Sequence, residues 1–133
     1  MTKYAASYAT VLVVMLLVDL PWITVFAKSM YSEGIGHLMA PTANVPAAVA
    51  FYLIYVFGLM WFGIAPHALE SGVTKAAASA AVFGFCAYAT YDLTNLATLR
   101  DWPLRVTLID MAWGPFVSAI ATAAGKYVFD RMA

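Results

Sequence analysis

Apolar residues fill four long stretches of the chain, and polar residues gather in the gaps between them. Residues 4–27 contain one charge, Asp19, and residues 45–65 contain none. Residues 76–99 contain Asp92, and residues 102–125 contain Arg105 and Asp110. A helix needs about 20 mainly apolar residues to span a bilayer, and each stretch is that long. The pattern predicts a single all-α transmembrane domain over residues 1–133. Its expected form is an integral membrane four-helix bundle, up-down-up-down, with a first loop lying on the membrane surface.

Local punctuation supports these boundaries. Lys3 before an apolar run mimics a signal peptide, but the run is long and no Ala-x-Ala-like site closes it, so helix one is expected to be retained. Pro21 removes a backbone donor and crowds the Leu17 carbonyl, which predicts a kink beside Asp19. Residues 28–44 combine Glu33, Gly34, Gly36, His37 and Pro41 with Met30, Tyr31, Ile35, Leu38 and Met39, a mixture suited to a membrane surface. Asn44 is a candidate cap for helix two, with Pro46 in its first turn and Pro66 at its end. Ala76, Ala80 and Gly84 form a small-residue stripe that lets helix three approach a neighbour closely. Asp101 is a candidate cap for helix four. That helix carries a Gly114-Pro115 kink signal and the small residues Ser118, Ala121 and Gly125, before a polar end at Lys126, Asp130 and Arg131.

Composition sharpens the picture. Hydrophobic residues make up 64% and charged residues 11%, against about 25% charged in ordinary soluble proteins. So few charges cannot cover a globule in water, and the lipid bilayer is the expected partner. The net charge is zero, which gives no reason to expect nucleic acid. Cys86 is the only cysteine and is expected to be a small packing residue. Four spans put both termini on one side with Lys3, Lys75, Lys126 and Arg131, opposite Lys28, Arg100 and Arg105. Four against three does not fix the orientation by the positive-inside rule, and cytoplasmic termini are the expectation.

Three acids stand out in this apolar background. Asp92 lies nine residues before Asp101 in the turn, and Asp110 nine residues after it. Antiparallel helices rise equally from a turn, at about 1.5 Å per residue, which sets both carboxyls roughly 13 Å deep. Asp19 lies nine residues before Lys28, on the same side of the membrane. The spacing therefore predicts three carboxyls at one level, sharing one polar cavity. An intramembrane carboxylate costs about 2.5–3.5 kcal/mol even on the lenient insertion scale. No Lys or Arg lies within four residues of any of them, so a proton, a cation or water must compensate.

Helical periodicity selects the neighbours of these acids. Tyr88, Asp92 and Asn95 share a face of helix three, flanked by Tyr91 and Thr98. Thr107, Asp110, Trp113 and Gly114 share a face of helix four. Asp19-x-x-Trp22 and Asp110-x-x-Trp113 repeat one spacing, with an indole one turn from each carboxyl. Trp102 is expected to anchor at the membrane interface, and Tyr52 and Tyr55 to pack. The predicted ligand-binding set is Asp19, Trp22, His37, Tyr88, Tyr91, Asp92, Asn95, Asp110 and Trp113.

The chain resembles the domain-of-unknown-function 2177 family of small bacterial membrane proteins. The residues that carry the resemblance are Asp19-x-x-Trp22, Tyr31 with Gly36-His37-Leu38, and Phe51-Tyr-Leu-Ile-Tyr55. They continue in Ala87-Tyr-Ala-Thr-Tyr-Asp-Leu-Thr-Asn-Leu-Ala-Thr-Leu99, Trp102-Pro103 and Asp110-x-Ala-Trp-Gly114. Ile35 stands where Leu is expected before Gly-His, and Pro21 is unusual within Asp-x-x-Trp. The resemblance implies a four-helix protein of the bacterial inner membrane, adds weight to His37, and brings no activity with it.

Three functions are compatible with these residues. The first is binding or transport of a small ligand or ion in the Asp-lined cavity, coupled to protons. The second is a membrane enzyme acting on a lipid or other apolar substrate, with Asp92, Asp110, Asp19 and His37 as acid-base groups. The third is a structural or accessory subunit whose polar layer clamps helices together. In each case a monomer or a homodimer is expected. No HExxH or other spaced ligand set predicts a metal, and no motif specifies a cofactor.

Overall fold

The computed structural model describes residues 1–132, which are almost wholly helical and contain no strand. Helix α1 spans Thr2–Pro21 and continues as one π-helical turn, Trp22–Phe26. A short helix α2, Lys28–Ile35, follows, then a single 3₁₀ turn, Gly36–Leu38. Helix α3, Val45–Leu59, runs on through a π-turn, Met60–Ile64, into a 3₁₀ turn, Ala65–His67. Helices α4, Thr74–Thr98, and α5, Leu104–Arg131, complete the chain.

Among the described residues, three segments are long and apolar enough to cross a membrane: Thr2–Phe26, Val45–His67 and Leu104–Arg131. Helix α4 is equally long but more polar, because Thr90, Asp92, Thr94, Asn95 and Thr98 crowd its second half. Its threonines satisfy themselves locally: Thr90 donates to the Cys86 carbonyl at 2.7 Å, and Thr98 to the Thr94 carbonyl at 2.8 Å. Such back-bonding lets hydroxyls face an apolar medium without an orphaned donor. Large apolar side chains point outward elsewhere, among them Leu17, Val25, Phe26, Ile54 and Trp61.

Small residues set the helix spacing. Gly84 of α4 sits so close to α5 that an added Cβ would fall 2.6 Å from the Gly114 carbonyl oxygen and would also strike Ser118. Gly114 in turn faces the Tyr88 ring, and Gly125 faces Val11 of α1. Contacts between α4 and α5 thus run in opposite sequence directions, 84 against 118 and 88 against 114. Those between α1 and α5 do the same, with Ser7 donating to the Gly125 carbonyl at 2.9 Å and Trp113 donating to Asp19 at 2.8 Å. These two pairs are the most extensive helix contacts. The main core lies between the rods, around Val11, Met15, Leu59, Ile64, Val117 and Ala121.

Local features follow from the residues at each bend. Pro21 cannot donate and would crowd the carbonyl four residues back. The helix widens directly after it, and the Ala27 N–H reaches back to the Trp22 carbonyl at 2.8 Å. Asn44 caps α3 by accepting from the Ala47 N–H at 3.1 Å.

Several expectations need correction. Asp101 does not cap α5; it occupies the tight turn with φ of 61°, and α5 begins after Pro103 without a side-chain cap. Trp102, expected to project as an anchor, is turned inward. It is buried with Ala27, Met30 and Val106, and its indole donates to Thr107 Oγ1 at 3.0 Å. Cys86 lies exposed on the outer face of α4 rather than in the packing. Helix α5 does not stop at Gly125 but continues to Arg131, which draws Lys126 inside instead of leaving it in a polar end.

Candidate functional site

Two carboxyls, each on a different helix, are held by side chains from several others. Asp19 of α1 is buried and accepts two hydrogen bonds, from the Tyr52 hydroxyl of α3 at 2.5 Å and from the Trp113 indole of α5 at 2.8 Å. Asp110 of α5 accepts from the Tyr31 hydroxyl of α2, which itself accepts from the Trp22 indole at 3.3 Å. Tyr31 lies outside the long apolar helices. Burial, followed by the bonded Asp110 carboxyl, pushes its phenol well above the ordinary value, so it remains a donor. Trp22 and Trp113 stack with ring centroids 4.2 Å apart and planes 8° from parallel. The repeated Asp-x-x-Trp spacing therefore works crosswise. Trp113, one turn after Asp110, serves Asp19, while Trp22, one turn after Asp19, reaches Asp110 through Tyr31.

Asp92 behaves differently. It is fully buried, and among the described residues neither of its carboxyl oxygens has a hydrogen-bond donor. Its principal charged neighbour is Asp110 across the α4–α5 contact. Two carboxylates have no hydrogen to share, whereas one proton between them would satisfy both.

A cavity of about 470 Å³ opens beside Asp19 and Asp110. Its walls are aromatic: Tyr31 from α2, Phe51, Tyr52 and Tyr55 from α3, Tyr88 and Tyr91 from α4, and Trp113 from α5. Ile23, Ala48 and Ala87 complete the lining. Small-molecule sites occupy about 300–1,000 Å³, so one modest organic ligand fits. A second cavity, of about 510 Å³, shares Ile23, Tyr31, Tyr91 and Asp110 with the first and extends along α2 past Lys28, Ser32 and Met39. The two spaces adjoin at these four residues.

The structure does not assemble the expected nine residues into one site. Asp19, Tyr88, Tyr91, Asp110 and Trp113 line the cavity, and Trp22 braces it from behind. Asp92 does not line it, because the α4 face that carries Asp92 is pressed against α5. Asn95 is half-buried beside Tyr91. His37 is exposed in the 3₁₀ turn after α2 and lines neither cavity, because that turn leads away from the aspartates. Among the described residues, no three His, Cys, Asp or Glu side chains are grouped closely enough to hold a metal ion.

Sequence reasoning missed Tyr31, Phe51, Tyr52 and Tyr55. Tyr52 and Tyr55 do contribute to the core, as expected, but Tyr52 also donates to Asp19, and Tyr55 pairs with Ser118 at 2.7 Å. The available signal was their spacing: two phenols three residues apart, on one face of a helix with no charge of its own.

The matching family profile covers residues 4–127 and is described as "Predicted membrane protein (DUF2177)". The chain belongs to the DUF2177 family. Neither a curated protein nor a solved structure matches it. As a DUF2177 protein it is embedded in membrane, and the outward apolar side chains of its long helices contact the lipid bilayer.

Proposed function

We propose that this DUF2177 protein binds a small ligand in an intramembrane chamber between its helices and exchanges it for protons. In this reading all four long helices cross the membrane as a single up-down-up-down domain. The termini are cytoplasmic, and α2 lies on the opposite surface. The observation that carries the proposal is the aromatic cavity beside Asp19 and Asp110. Carboxyls inside a membrane-embedded chain are costly and mark ion or substrate routes more often than simple packing. Asp92, buried against Asp110 without a partner, is the natural holder of an exchangeable proton.

A packing role is favoured for one of the acids. Both Asp19 oxygens already receive a donor, from Tyr52 and Trp113, so Asp19 joins α1, α3 and α5 as a clamp. Asp110 carries the ligand chemistry, because only its Oδ1 accepts a bond, from Tyr31, among the described residues. The enzyme reading keeps its carboxyls but not His37, which lies outside both cavities.

Thiol accessibility tests the chamber. In a Cys86→Ala background, Ala87→Cys in proteoliposomes should react with the small neutral reagent hydroxyethyl methanethiosulfonate. Val82→Cys, on the outer face of α4, should not. Equal protection of both thiols would contradict the chamber.

A further inference from the structure

We propose that the chamber selects an organic monocation, an ammonium group carried on an apolar or aromatic body. The inference rests on the chamber reading above and adds the chemical class of its occupant.

The lining contains two carboxyls and no Lys, Arg or His. An anion would therefore meet two carboxyls and no cationic side chain in this lining, while a cation has the Asp110 carboxyl to face. The aromatic walls point the same way. Ring faces attract a desolvated cation through their quadrupoles, and Phe51, Tyr55, Tyr88 and Trp113 surround the space from three helices. Tyr55 meets Tyr88 edge to face, with centroids 6.2 Å apart at 80°, and Phe51 lies 5.4 Å from Tyr55. Such rings offer both faces and edges to one guest.

An inorganic divalent ion fits poorly. Calcium needs six to eight oxygen ligands at about 2.3–2.6 Å, and the described residues contain no group of three acids or histidines able to hold a metal. A neutral apolar guest would add nothing to the Asp110 carboxyl beyond the bond it already receives from Tyr31. A second, independent observation is Asp92, a fully buried carboxyl behind Asp110 that lacks a hydrogen-bond donor among the described residues. Positive charge arriving at Asp110 compensates that pair as a proton would.

Protection of Ala87→Cys in the Cys86→Ala background tests the assignment. The probes are benzyltrimethylammonium, benzyl alcohol and phenylmethanesulfonate, which share one ring and differ in charge. The expected result is that the ammonium slows thiol modification while the alcohol and sulfonate do so at least about tenfold less effectively. Asp110→Asn should reduce protection by the ammonium about tenfold while the thiol still reacts in the absence of probe. Phe51→Leu, which keeps every acid, should weaken it several-fold. Equal protection by alcohol or sulfonate would overturn the cation assignment and leave the chamber standing. Free labelling that the ammonium does not slow would also overturn it. A thiol that never reacts would remove the chamber itself, and the cation assignment with it.

Discussion

Trp22 and Trp113 lie face to face, 4.2 Å between centroids and 8° from parallel, and each directs its indole N–H toward the hydrogen-bonded set of the other's aspartate. This stack joins the π-helical end of α1 to the middle of α5. It fixes Asp19 directly, and Asp110 through Tyr31. Trp113→Phe keeps a ring for stacking but removes the donor to Asp19. It should lower stability by about 1–3 kcal/mol, the cost of leaving a buried acceptor short of a partner. Unfolding in mixed dodecyl maltoside and dodecyl sulfate micelles measures it.

Asp92→Asn should behave in the opposite way. The amide supplies an N–H to the neighbouring Asp110 and removes a buried carboxyl without partners. Stability in the same micelle assay should rise, or fall by less than about 0.5 kcal/mol. Asp92→Leu, which supplies no donor, should lie below Asp92→Asn.

Glycine positions give a sharper contrast. Gly84→Ala would press its Cβ against the Gly114 carbonyl and Ser118, with backbone on one side that cannot swing away. A loss of about 1–3 kcal/mol or more is expected from overpacking. Gly36→Ala meets nothing within 4 Å and should change stability by less than about 0.5 kcal/mol.

The opposite end of the molecule holds a buried cation. Lys126 is fully buried; its Nζ donates to the Glu70 carbonyl at 2.6 Å and pairs with Asp130, which also accepts from the Gly72 N–H at 3.0 Å. This ties the α3–α4 loop to the end of α5. Lys126→Met should destabilise by about 1–3 kcal/mol, because the Glu70 carbonyl and Asp130 lose their donor. Lys126→Met with Asp130→Leu should recover part of that loss, as read from the unfolding midpoints of the single and double variants.

Glu70 beside it has its carboxyl held below the usual range, first by Lys75 and then by His67. A depressed carboxyl contributes stability above its unfolded pKa and loses it as pH falls through the folded one. Glu70 is exposed, so that contribution is screened by salt. The acid limb of a thermal-shift profile should therefore move less with Glu70→Gln at 0.5 M salt than at 0.05 M.

The helical, membrane-embedded character of the chain was legible in its apolar runs, because a span must be long and poor in charge. The equal spacing of Asp92 and Asp110 from Asp101 likewise anticipated their adjacency, since antiparallel register depends only on rise per residue. Lateral placement was not legible. Periodicity gives a residue's face on its own helix but not which neighbour that face meets, so Asp92 appeared equivalent to Asp19 and Asp110. The tyrosines of α2 and α3 were not recognised as carboxyl partners for a related reason: a phenol in an apolar run looks like packing until a carboxyl from another helix arrives opposite it. Lys126 was misjudged because the helix end was set at Gly125, and a lysine past a helix end reads as solvated.

A structure determined in lipid nanodiscs at neutral pH tests the central claim most directly. Non-protein density, from water or an organic guest, should fill the space between Asp110 and the Tyr52, Tyr88 and Trp113 side chains, with Asp19 on the same wall. A space closed by side chains, or an Asp110 carboxyl turned toward lipid, would contradict the account.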